Sequence, residues 1–113
     1  MLMNNNVKEK AEELIRAILE SEEYKTYDSY RQKLYETPEL RDRVQNFRKT
    51  RLEADYANKS GKEISNLLTS QYIDILNNTV AANYLNSELQ VCQMMQQVNN
   101  IINGGLQLEL DFL

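Results

Sequence analysis

The chain has 113 residues, a net charge of −4, no histidine, one cysteine, one proline and three glycines. A single cysteine and no histidine exclude an internal disulfide, a histidine-based nucleophile relay, and zinc or iron–sulfur ligation within one chain. The length fits one domain, and 42% hydrophobic with 27% charged residues places it among globular chains.

Scarce glycine and proline favour long helices over a turn-rich β fold. The chain reads as a single all-α domain over residues 1–113, a small bundle of three to four long helices. Residues 1–6 read as a frayed end. From Val7 the apolar residues Val7, Ala11, Leu14, Ile15 and Ile18 make one helical stripe. SEE at 21–23 is a cap followed by first-turn acids, so a second helix begins there or the first runs through. The next stripe is Tyr24, Tyr27, Tyr30 or Arg31, and Leu34.

ETPEL at 36–40 is the clearest punctuation, with Thr37 as cap, Pro38 at the first helical position and Glu39 in the first turn. The helix that follows buries Leu40, Val44, Phe47 and Ala54. NKSGKE at 58–63 ends it, either with Gly61 as a left-handed C-cap or with Ser60 and Glu63 as a capping box for the next helix. Ile64, Leu67, Leu68, Tyr72 and Ile75 form that helix's stripe. Asn78 caps the last helix, expected from Thr79 to Asn103 and stopped by Gly104–Gly105. The tail 106–113 alternates apolar and polar and reads as extended.

On a wheel of about 100° per residue, Val80, Tyr84, Val91, Met94, Met95, Val98, Ile101 and Ile102 share one band of the last helix. Gln90, Gln93, Gln97 and Asn100 lie opposite. Leu85, Leu89 and Cys92 form a second, shorter stripe. Cys92 therefore reads as a small packed hydrophobe beside leucines, and the methionines as gap-fillers. A soft-metal site needs several converging ligands, which this chain does not offer, so no cofactor or metal is expected. A helix apolar on two sides needs a second helical neighbour. The expectation is a homodimer whose interface uses Val80, Tyr84, Leu85, Leu89, Val91, Cys92, Met95, Val98 and Ile102.

Charge is unevenly placed. Residues 1–40 hold 9 acids and 6 bases, residues 41–62 hold 3 acids and 7 bases, and residues 63–113 hold 5 acids and no base. The basic stretch offers Arg41, Arg43, Arg48, Lys49 and Arg51 as candidate RNA contacts. On the wheel these scatter around the cylinder, and Phe47 belongs to the core band. An acidic protein with scattered bases is a poor phosphate binder. Arg51 falls near the apolar band, where its head is expected to pair with an acid from another helix. Glu12/Glu13 and Glu22/Glu23 sit on polar faces as solvated surface, so no enzyme is expected. With no basic-then-apolar leader, no run of about 20 apolar residues and no disulfide, a cytoplasmic protein without membrane insertion is expected.

Two segments carry a resemblance. KAEELIRAILESEEYKTYDSYRQKLYETPELRDRVQNFRK at 10–49 and NNTVAANYLNSELQVCQMMQQVNNII at 77–102 together resemble the YlbF/YmcA family of small bacterial regulators. Thr79 stands where the family pattern has proline and Ser87 where it has alanine, while Glu88, Val91 and Cys92 fit. The resemblance implies an intertwined helical dimer and a non-enzymatic regulator. It implies a heteromeric complex with other small proteins that assists an endoribonuclease in mRNA processing and influences competence, biofilm formation and sporulation. Some members bind iron–sulfur clusters through cysteines in a C-terminal tail. The tail LQLELDFL has none, so this property does not carry over, and the chain is closer to the family's shorter members.

Overall fold

A computed structural model describes residues 4–106. Five helices follow in order: α1 Asn5–Leu19, α2 Glu22–Tyr35, α3 Pro38–Tyr56, α4 Gly61–Leu76 and α5 Thr79–Leu106. No strand occurs among the described residues. The all-α class stands, with five helices in place of three to four.

Local chemistry sets each boundary. The Ser21 side chain accepts from the Tyr24 N–H while its hydroxyl donates to the Ile18 carbonyl, so one serine ends α1 and starts α2. Pro38 opens α3 where its missing N–H costs nothing. Ser60 and Glu63 form the capping box of α4. Gly61 is the first residue of that helix rather than a C-cap; the left-handed residue of this turn is Asn58, at φ 56°. The Asn78 side chain accepts from the Ala81 N–H and caps α5.

Two boundaries differ from the sequence reading. Residues 4–6 are ordered into α1, because the Asn4 side chain accepts from the Asn6 N–H and supplies a cap. Helix α5 passes through Gly104 and Gly105 to Leu106 instead of stopping at Asn103. Neither glycine takes a positive φ. Extending a long existing helix adds one hydrogen bond per residue without a new nucleus, which offsets the glycine penalty. Leu106 is therefore helical, not extended; the remainder of the expected tail, 107–113, and residues 1–3 lie outside the described residues.

Helices α2 and α5 share the most extensive contact, and α3 and α4 pack as a hairpin. Tyr27 meets Tyr84 at one level, and Glu23 lies beside Gln90–Gln97 at another, so α2 and α5 run in opposite directions. The core gathers Leu34, Val44, Phe47, Leu68, Tyr72, Ile75, Ala81 and Tyr84. Phe47 and Tyr72 meet edge to face, 5.5 Å apart at 84°, joining the hairpin by an aromatic pair. The expected stripes of α2, α3 and α4 thus supply the core.

Helix α1 is different. It contains no buried residue and makes its appreciable contact with α2 alone. The radius of gyration is 17.7 Å, against about 13 Å for a compact chain of this length. One chain by itself leaves two helical segments, α1 and residues 99–106 of α5, standing off its core.

Candidate functional site

The site is a pair of uncovered apolar faces. On α1, Val7, Leu14, Ile15 and Leu19 are exposed, Ile15 at 55%. Glu9, Glu12 and Glu13 mark this helix's polar side, so the apolar face is a true amphipathic stripe. On α5, Leu89, Met95, Ile101, Ile102 and Leu106 are exposed, Leu89 at 52%. Large apolar side chains exposed in this density make these two faces candidates for an association surface.

The expected interface residues divide along α5. Tyr84 is buried within its own chain at 2% exposure, stacked near Tyr27, so it belongs to the core and not to a surface. Its hydroxyl lies 3.2 Å from Glu88 Oε2, and burial pushes its ionisation well above the ordinary phenol range. Val80 and Leu85 are half-buried against the same core. Val91 and Val98 are half-buried further along. Leu89, Cys92, Met95 and Ile102 are exposed. Cys92 is thus not packed within one chain, because the stripe it shares with Leu89 faces away from α2.

Two contributors were missed in the sequence. The α1 stripe is visible in the sequence, but the expected interface does not include it. Ser87 is buried and donates to the Tyr84 carbonyl; a small residue there lets α5 lie close to its neighbours, and its internal hydrogen bond hides its polarity.

The basic stretch is largely committed to the fold. Arg43 grips Asp74 through two nitrogens at 3.1 Å, donates to the Gln71 carbonyl at 2.6 Å and lies over the Tyr72 ring, binding α3 to α4. That hydrogen-bonded pairing holds the Asp74 carboxyl below its usual range. Arg48 pairs with Glu88 of α5 at 3.1 Å. Arg41 pairs with Asp42 and lies over Tyr35. Lys49 and Arg51 make no ion pair among the described residues. For Arg51 this corrects the expectation, since the arginines that reach acids on other helices are Arg43 and Arg48. Three of five candidate RNA contacts are therefore bound into intramolecular pairs, which any phosphate must displace.

Among the described residues no group of three or more potential ligands could hold a metal, and no helix is long and apolar enough to cross a membrane. Two open depressions, of about 380 Å³ at Arg31, Gln32, Tyr35 and Glu36 and about 270 Å³ at Glu23, Gln90, Gln93, Met94 and Gln97, bring together no nucleophile and base.

The described residues form an all-helical chain with uncovered apolar faces, and comparison with known proteins gives the family. A model described as control of competence regulator ComK, YlbF/YmcA, matches residues 7–107. The chain belongs to the YlbF/YmcA family, which is a regulatory family. It is also similar to a UPF0342 protein of Caldicellulosiruptor saccharolyticus, at 28% identity over 108 residues, covering 92% of this chain and 90% of that protein. No solved structure matches the chain.

Proposed function

We propose that the chain is a non-enzymatic regulator of the cytoplasm that acts by docking helical faces, first onto a second copy of itself and then onto other proteins. One observation carries this reading: α1 presents an apolar stripe, and the far half of α5 presents Leu89, Met95, Ile101, Ile102 and Leu106, that their own chain leaves exposed. The two stripes suit each other in length. Fifteen residues of α1 span about 22 Å at 1.5 Å per residue. Leu89 to Ile102 on α5 spans nearly the same. The far half of α5 carries no charged residue beyond Glu88 among the described residues, so nothing on it repels the mixed charges flanking the α1 stripe. Covering half-exposed Leu, Ile and Val side chains contributes about 1 kcal/mol each. Several from each stripe, doubled by symmetry, exceed the cost of association at its lower estimates.

Family membership supports a regulatory role. The finer assignment is a heteromeric complex with other small regulators that modulates mRNA processing by an endoribonuclease, with competence, biofilm formation and sporulation as the processes affected. It rests on the resemblance. Static light scattering at micromolar concentration tests the pairing, with a mass twice the 13.3 kDa of one chain expected. A monomer at the highest soluble concentration rejects it. Deletion of the gene followed by mapping of transcript ends tests the pathway, and unchanged processing removes that part.

A further inference from the structure

The end of α5 joins a reactive dipeptide to a weakly held helix. Asn103–Gly104 is the one place in the chain where glycine follows asparagine. Both residues lie in α5, and both are exposed. Every residue from 99 to 106 is exposed, Ile101 at 74% and Leu106 at 60%, so side-chain packing does little to hold this stretch. The last turn carries no basic side chain to meet its free carbonyls. Gly104 and Gly105 have open space where a Cβ would stand. Two glycines in succession weaken a helix further, and helix ends open at little cost.

We propose that Asn103 is a site of spontaneous deamidation, gated by fraying of the last turn of α5. In a helix the N–H of residue 104 bonds the carbonyl four residues back, which keeps it from the Asn103 side chain. When the turn opens, the Gly104 nitrogen loses its proton to solvent base and attacks Asn103 Cγ. The new N–Cγ bond closes a cyclic imide. The bond from Cγ to Nδ2 breaks, and Nδ2 takes up protons from water and leaves as ammonia. Water then opens the imide at either carbonyl, giving aspartate or isoaspartate at 103. Gly104 has no side chain to crowd the attack, and it reaches the backbone angles of the ring freely. Asn86–Ser87 offers similar chemistry in the same helix, but Ser87 is buried and its turn stays closed. The product carries the first charge after Glu88 among the described residues of α5. A negative charge at the negative end of a helix is unfavourable, so conversion unwinds the turn in which it occurs. The reaction needs no second copy of the chain and is independent of self-pairing.

The test incubates the full chain at neutral pH, both native and unfolded in urea, and follows each asparagine by peptide mass spectrometry. Chromatography resolves aspartate from isoaspartate. The native chain should convert at Asn103 faster than at any other asparagine, but more slowly than the chain in urea. Gly105→Ala keeps the dipeptide and strengthens the last turn. It should slow native conversion about fivefold and leave the rate in urea unchanged. Asn103→Asp should show weaker helical chemical shifts at residues 102 to 105 than the parent by nuclear magnetic resonance. Native conversion at Asn103 no faster than at Asn58 or Asn86 overturns the site. A native rate equal to that in urea, or an unchanged native rate in Gly105→Ala, overturns the gating by α5. Unchanged shifts in Asn103→Asp overturn the unwinding.

Discussion

Ile15→Asp separates the two accounts of α1. Ile15 is 55% exposed on its own chain, and α1 contributes nothing to the core. If α1 stays bare, the substitution is a surface change worth within about 0.5 kcal/mol, with a small added loss of helix propensity. If a second copy covers α1, the carboxylate enters a dry contact with no partner. Desolvating an unpaired charge costs several kcal/mol. Taking about 3 kcal/mol at each of two symmetric positions weakens pairing by about 6 kcal/mol, or roughly four orders of magnitude in the dissociation constant. Sedimentation velocity over a concentration series reads the association, and far-UV circular dichroism checks that helix content survives. Glu12→Gln, on the polar side, is the matched control and should pair as the parent does. An Ile15→Asp protein that pairs with parental affinity would falsify the assignment of α1 to an interface.

Leu34 is fully buried between the central helices, so Leu34→Ala should cost about 2–5 kcal/mol, read as a lower urea midpoint. Asp74 is held at a lowered pKa by its hydrogen bonds from Arg43. Its contribution is present above the unfolded carboxylate pKa and is lost as pH falls through the lowered folded value. Asp74→Asn should therefore be less stable than the parent near neutral pH, with the gap closing in acid; a gap independent of pH contradicts the pairing. Gly104 and Gly105 lie in helix with open space where a Cβ would stand. Gly104→Ala and Gly105→Ala should raise helicity and contribute up to about 1 kcal/mol each, whereas loss of stability would return these glycines to the role of a stop.

Much of the fold was legible because caps and stripes are local. Ser21, Pro38, Ser60 with Glu63, and Asn78 each act within one turn of their own position, so the sequence alone locates them. Val44, Phe47, Ala54, Leu68, Tyr72 and Ile75 lie at helical spacing and are buried as read. What periodicity cannot say is which neighbour covers a stripe. The α1 stripe and that of Leu34 look alike on a wheel, yet one is bare and the other is at the centre of the core. Tyr84 shows the same gap in reverse. It lies in the apolar band with Val91 and Met95, but Tyr27 of α2 reaches it first. Which arginine pairs across helices escapes the sequence for a related reason. Arg43 finds Asp74 thirty-one residues away, a pairing set by how α3 and α4 fold back on each other and not by spacing along either helix. Paired glycines at 104 and 105 look like a stop, but a long helix already nucleated runs through them.

The most direct measurement is isotope-filtered nuclear Overhauser spectroscopy on a mixed sample, half the chains carrying labelled methyl groups and half unlabelled. It detects only contacts between different copies. The account predicts intermolecular signals joining Leu14, Ile15 and Leu19 of α1 to Leu89, Met95 and Ile102 of α5, with none from buried Leu34 or Val44. A spectrum without intermolecular signals, at a concentration where the chain is soluble and folded, would contradict it.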